Sequence, residues 1–402
     1  MTMSENLATF GATRRTVIRG GRLLTPAGIV DDGAVVIDGG RILFAGPASA
    51  WRGNDAGAVL VDARGGWIVP GFIDLHVHGG GGGDTMDATF DALCAVARCH
   101  AQYGTTAFLA TTVTAPHDRL LEVAAAVREA VGRWTGGAQV LGLHLEGPYV
   151  SPKRAGAQNT AHMRPPAPEE LEELFAAAGG TWRLVTLAPE LPGAADAIRW
   201  LAERGVVVSI GHSDATYEEA AAGIAAGARH ATHLFNAMRG LHHREPGVVG
   251  AALAHAEVTV ELIADGEHVH PAALALAVAC KGPQRTALVT DCMRARGLPD
   301  GVYKLGDLDV LVQGGKARLA ASPDTIAGSL LTMGEAVRFL VRTVGVPLPE
   351  AVTMASATPA RIIGVADRKG SLEPGKDGDV VVLDDDLRVQ ATVVAGRIVY
   401  SR

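Results

Sequence analysis

Short apolar runs rich in β-branched residues recur along the chain, at 72–76, 105–111, 139–145, 183–187, 206–210, 229–232, 258–263 and 286–290. Bounded by turn residues, they predict eight strands. Between them lie Ala-rich stretches with helical periodicity, at 89–103, 118–132, 168–178, 193–204, 214–226 and 270–281. Alternation sustained this long argues for an α/β fold closed into a (β/α)8 barrel rather than an open sheet. A further helical region, 331–363, follows the eighth strand.

The two ends of the chain read differently. From Thr16 to Pro70 short strands alternate with Gly-rich turns, as in TVIRGGRLLT and GAVVIDGGRILFAG, and the far end repeats the style in GDVVVLD and VQATVVAGRIVYS. Neither end has enough strands for a stable sheet. The expectation is one small β domain built from 1–70 together with 371–402, flanking a barrel over 71–370. Residues 1–13 read as a loose polar tail.

Composition narrows the functions available. The 402 residues suffice for a large barrel and a smaller domain, with 48% hydrophobic and 20% charged residues. A net charge of −7 gives no footprint for nucleic acid. Arg14-Arg15 precedes no apolar signal segment, and no uncharged run approaches the ~20 residues that span a bilayer. The four cysteines, Cys94, Cys99, Cys280 and Cys292, form no CxxC pair, which points to a reducing, cytoplasmic setting.

Candidate chemistry sits at the ends of the predicted strands, where a parallel barrel gathers its functional groups. His76 and His78 close the first; two residues apart, they face the same side and make a natural metal pair. Glu146 ends the third strand before Gly147-Pro148, and His212 and His233 end the fifth and sixth. Together they form a two-His, one-carboxylate set with room for water, whose pKa such a metal lowers. Asp291, after TALVT, is placed as general base and then acid. His144, on the same face as Glu146, can support a ligand from behind, while Cys292 reads as a small buried hydrophobe. Asn236, Ala237, Arg244 and His268 carry polar or positive groups suited to an anionic substrate. Singly, each of these residues has an ordinary structural explanation; the shared strand-end position is what argues for metal-dependent hydrolysis.

The stretches PGFIDLHVHG, HLEGPYVSPKRAGA, LAPE, GHSDAT, ATHLFNAM, HHREPGVVGAAL, IADGEHVHP, LVTD, AGSLLTM, SATPARIIG and GSLEPGKDGDVVVLD occur in order over nearly the whole chain. They resemble the amidohydrolase superfamily, and within it the N-acetylglucosamine-6-phosphate deacetylase family. The resemblance implies a TIM barrel with a β-sandwich built from both termini. It implies metal ligation by Glu146, His212 and His233, with a second metal held through His76 and His78. One or two zinc or iron ions per subunit would serve. Asp291 would be the catalytic acid and base. Ala157, Asn236, Ala237 and His268 would contact an amino-sugar phosphate, with Arg244 reaching across a homodimer to its phosphate. The implied reaction is removal of acetate from N-acetylglucosamine 6-phosphate, or from its galactosamine epimer. Cyclic-amide opening is disfavoured, because the fourth strand, WRLVTLAPE, lacks a bridging lysine. One departure stands out. Gln158 occupies the place of a family His that polarises the acyl oxygen, and an amide donates a hydrogen bond without carrying charge. That residue alone favours a weakly active or silent barrel.

Overall fold

The computed structural model describes residues 14–402; the expected tail, 1–13, lies outside the described residues. The chain opens with β1 (Thr16–Thr25), β2 (Gly28–Asp38), β3 (Arg41–Pro47), β4 (Val59–Asp62) and β5 (Trp67–Pro70). β1 pairs antiparallel with β2, but its first half also pairs in parallel with β4 and its second half with β5, across register shifts near Gly21. This folds the sheet over a core of its own, including Ile18, Leu23, Val35, Ile37 and Ile68.

The barrel strands follow. β6 (Phe72–Val77) leads into a two-residue hairpin, β7 (Gly79–Gly80) and β8 (Gly83–Asp84). The others are β9 (Thr105–Thr111), β10 (Gln139–Glu146), β11 (Trp182–Leu187), β12 (Val207–Ile210), β13 (His230–Ala231), β14 (Thr259–Ile263) and β15 (Thr286–Val289). They pair in parallel in the order β15-β14-β13-β12-β11-β10-β9-β6. The expected helices appear as α1 (Phe90–Ala101), α2 (His117–Ala130), α3 (Pro168–Ala178), α4 (Ala194–Glu203) and α5 (Tyr217–Ala226). α6 (Gly247–Ala254), which the sequence reading did not mark, precedes the expected α7 (Pro271–Lys281).

The barrel closes between β15 and β6 through side chains as well as backbone. The buried Asp74 carboxylate accepts from the Thr290 hydroxyl at 2.6 Å and from the Thr290 and His76 amides at 3.2 Å each. Beyond it, the Asp291 amide donates to His76 O (2.9 Å) and the His78 amide to Cys292 O (3.0 Å). Three candidate residues, His76, His78 and Asp291, therefore sit along this seam.

After the eighth barrel strand comes an element the sequence reading missed. β16 (Gly301–Leu305), β17 (Leu308–Gln313), β18 (Lys316–Leu319) and β19 (Ser322–Ile326) form a separate antiparallel sheet over the barrel mouth. The helical region then follows as α8 (Met333–Phe339), α9 (Leu348–Ala355) and α10 (Ala357–Ile362). The chain returns with β20 (Val380–Leu383), β21 (Val389–Val394) and β22 (Arg397–Ser401), and β20 pairs antiparallel with β5. The two ends thus share one sheet, as expected.

Candidate active site

Glu146 is the centre of the site. It ends β10, is buried, and is followed by Gly147 at φ 68°, where an added Cβ would lie 2.1 Å from Thr114 Oγ1. Only glycine lets the chain turn away there and leave the carboxylate at the rim. Its Oε1 lies 3.2 Å from His212 Nε2, 3.1 Å from His233 Nε2 and 3.4 Å from His76 Nε2. Its Oε2 lies 3.4 Å from His78 Nε2. His78 Nε2 in turn is 3.0 Å from Asp291 Oδ1.

The turns that present these groups are strained. His212, His233 and Asp291 adopt left-handed φ values of 46°, 30° and 52°. Such conformations cost of order 1–3 kcal/mol each and collect at functional sites. They re-aim each side chain from strand direction towards the barrel axis. Gly211, before His212, packs so closely that a Cβ would meet Thr232 Cβ at 2.7 Å.

Hydrogen-bond partners assign the ring tautomers. His212 Nδ1–H donates to Arg154 O at 2.9 Å, His76 Nδ1–H to Glu261 Oε2 at 3.1 Å, and His78 Nδ1–H to Thr111 O at 3.3 Å. Neutral rings so tied aim Nε2 lone pairs at carboxylate oxygens. Lone pair facing lone pair is repulsive, so a cation belongs between them. Two overlapping sets, Glu146 with His212 and His233, and Glu146 with His76 and His78, meet the spacing a metal needs. The donors also suit a borderline-soft divalent ion. Without a metal, protons serve this purpose. Burial opposes charge on His76, yet Glu146, Asp291 and Glu261 outweigh it and raise its pKa well above the ordinary value. His78 and His212 are raised in the same way, by Asp291 and Glu146 respectively. Burial would raise Glu146 and Asp291, but His76 and the other rings hold both below the usual carboxylate range.

A cavity of about 280 Å³ opens on this cluster, lined by His78, Glu146, His212, His233 and Asp291, and also by Ala157, Gln158, Asn236, Ala237 and His268. The last five were all expected there. His76 lies just beneath. Arg244 is the exception: it is exposed, its guanidinium against His243, and it does not line the cavity of its own chain. His268 donates to Asp265 at 2.6 Å; burial opposes its charge, but Asp265 raises its pKa, favouring a cationic ring at the cavity wall. A larger cavity of about 560 Å³ adjoins, sharing His268. Most of its wall charges are paired, Glu267 with Lys316 and Arg318, and Arg296 with Glu335.

Gln158 is fixed at both ends. Its Oε1 accepts from the Thr114 amide and its Nε2 donates to Glu146 Oε2, each at 2.6 Å. The first contact is with an unambiguous donor, so the amide cannot be flipped, and its second N–H remains for another acceptor. His144 backs His76, its ring centroid 4.7 Å away. Burial pushes its pKa down to about 3, so it supports as a neutral ring. Cys292 is buried, its thiol pushed well above the ordinary value by burial.

The sequence reading missed several supporting groups. Glu261, Asp74 and His230 lie inside apolar strand runs, and Arg154, Asp214 and Arg239 form a charged tie between three loops. The one available signal was an ionisable residue at an inward-facing strand position, as in TVELI.

An eight-stranded parallel barrel whose rim converges histidines and acids on one cavity is the architecture of a hydrolase of the amidohydrolase class. The chain belongs to the amidohydrolase family, whose model matches residues 67–399. Its similarities are more specific still. It is 46% identical over 334 residues to N-acetylglucosamine-6-phosphate deacetylase of Vibrio furnissii, covering 83% of each chain. It is 43% identical over 383 residues to N-acetylgalactosamine-6-phosphate deacetylase of Escherichia coli O157:H7, covering 95% of this chain and 98% of that one. The solved structure of a mutant N-acetyl-D-glucosamine-6-phosphate deacetylase from Mycobacterium smegmatis, in complex with N-acetyl-D-glucosamine-6-phosphate, superposes with a TM-score of 0.90. The two are 39% identical, and the match covers 96% of this chain and 100% of that one.

Proposed function

We propose that the protein hydrolyses the acetamide of N-acetylglucosamine 6-phosphate, giving glucosamine 6-phosphate and acetate in amino-sugar catabolism. The observation that carries this reading is the convergence of Glu146, His78, His212, His233 and Asp291 on one cavity at the barrel rim, with His76 beneath them against Glu146. Glu146, His212 and His233 would hold one divalent ion, zinc or iron, and His76 and His78 a second. When bound, the ion supplies Lewis acidity, bringing the pKa of water towards neutrality and withdrawing charge from the amide oxygen. Asp291, kept ionised by the rings beside it, takes the proton of the attacking water at Oδ1. It returns that proton to the amine nitrogen as the C–N bond breaks, so acetate and a free amine leave together. The remaining N–H of Gln158 would donate to the acyl oxygen without adding charge.

Asn236, the Ala237 backbone and a cationic His268 form the phosphate end of the cavity. Arg244, exposed in its own chain, completes it from a second copy in a homodimer. All four cysteines are unpaired, which fits a cytoplasmic setting, and no helix among the described residues is long and apolar enough to cross a membrane. The galactosamine epimer is the second reading, favoured by the 43% identity to the Escherichia coli enzyme. Acetate release from both epimers by zinc- or iron-reconstituted protein, with Gln158→His assayed alongside, tests these readings. Turnover of the glucosamine compound supports the first, and selective turnover of its epimer the second. Loss of both in wild type and variant would overturn them.

A further inference from the structure

We propose that Glu261 is a positioning residue that couples the two halves of the metal-ligand set. The proposal rests on the metal reading above. Glu261 sits on β14, fully buried, and no Lys or Arg pairs with it among the described residues; its ion-pair partners are His76 and His230 alone. A carboxylate buried without a cationic side chain is costly and calls for another source of positive charge.

Its two oxygens are divided in a telling way. Oε2 accepts the His76 Nδ1–H at 3.1 Å and the His233 backbone N–H at 3.0 Å. Oε1 faces His230 Nε2 at 3.1 Å. One atom therefore anchors one ligand from each half: His76, which works with His78, and His233, which works with His212.

The His233 contact matters because no acceptor holds that ring at Nδ1. His76, His78 and His212 each have Nδ1 tied to a protein acceptor, whereas His233 Nδ1 is buried with no hydrogen-bond partner. Its aim is set by its backbone, at a strained φ of 30°. The Glu261 carboxylate is what fixes that backbone amide. A carboxylate behind a ligating histidine orients the ring and raises its basicity, and losing such a partner typically costs 10–100-fold in metal affinity. Here a single carboxylate serves two half-sites, one through a ring and one through a strained main chain.

The test is Zn²⁺ titration of chelator-stripped protein by competition with a chromophoric chelator, with metal content measured on the same samples. Glu261→Gln is expected to weaken every Zn²⁺ step seen in the wild type by about 10–100-fold. If the wild type takes a single Zn²⁺, the loss must fall on that step. His230→Gln, which removes the contact that touches no ligand, should leave Zn²⁺ affinity within about threefold. Glu261→Gln with unchanged affinity, weakening of one step out of two, or an equal loss in His230→Gln would overturn the proposal. A second readout uses the wild type alone and survives misfolding of the variant. Histidine ¹⁵N spectra should show His76 protonated at Nδ1, whether the ring is neutral or cationic, with the His233 amide strongly protected from exchange. A His76 Nε2–H tautomer or a freely exchanging His233 amide would defeat the coupling. Absence of Zn²⁺ binding by wild type, with those spectra as expected, would instead defeat the metal reading.

Discussion

At the scale of single residues, Asp291 and Gln158 carry different burdens. Asp291 is held by its own backbone, its amide on His76 O and its carbonyl taking the Ser329 amide at 2.7 Å. Asp291→Asn therefore keeps the seam and removes only the proposed base. The expected result is a drop in kcat of about 10²–10⁴ with Zn²⁺ content retained, checked by steady-state kinetics and metal analysis. Gln158 instead satisfies two buried groups, the Thr114 amide and Glu146 Oε2. Gln158→Ala should lower stability by about 1–3 kcal/mol, measured by denaturant unfolding, because the buried Thr114 amide is left unpaired and Glu146 Oε2 loses a donor. The residues that converge at the rim were legible because strand-end His and acid have few other uses. Glu261 and Asp74 were not, because a carboxylate within an apolar run looks the same whether it faces the barrel axis or a helix.

Among the elements, the strand ends of β12 and β6 are the ones whose packing fixes the chemistry. Gly211 lies so close to Thr232 and Thr186 that Gly211→Ala pushes both away and displaces His212. The expected cost is about 1–3 kcal/mol, with weakened Zn²⁺ binding in the same titration. The short sheet of β16–β19 is tied to the loop carrying His268 by Glu267, which pairs with Lys316 and Arg318 at 2.6 Å each. These pairs are part exposed, so Glu267→Ala should change unfolding stability by less than about 1 kcal/mol. Its effect should appear as a higher KM with little change in kcat, since the tie holds a cavity wall rather than a reacting group. The eight barrel strands and most helices were legible from periodicity. The inserted sheet was not, since its strands alternate weakly and its glycine turns read as loop. α6 escaped for a related reason: GVVGAALA is apolar all round and has no stripe to announce a helix.

For the whole molecule, the buried cluster links stability to pH and to metal. His76, His78 and His212 have raised pKa values, so the stability they confer by holding protons is complete below their unfolded value of 6.5. It is lost as pH rises through the higher folded values. Asp74, raised by burial from 3.8 to about 7, adds a loss of the same sign over that interval. Glu146, Glu261 and Asp291 are lowered, so their contribution is present above the ordinary carboxylate range and is lost on acidification. Chelator-treated protein should therefore be most stable at roughly pH 4.5–6.5 and decline on either side. Zn²⁺ at a hundredfold over its Kd should add about 2.7 kcal/mol, and more of its benefit should appear as pH rises and protons stop competing. Thermal unfolding with and without chelator from about pH 3 to 9 checks both; a metal effect that shrinks with rising pH would contradict them. Periodicity and strand-end chemistry were enough, from the sequence alone, for the barrel, the shared terminal sheet and the histidines and acids that meet at the barrel rim, because both are local along the chain. The tertiary structure alone decided which buried carboxylate faces which ring, that Asp74 staples the barrel seam, and that Glu261 reaches His76 and His233 at once. Those relations join residues as far apart as 74 and 290, and only closure of the barrel brings them within hydrogen-bonding reach.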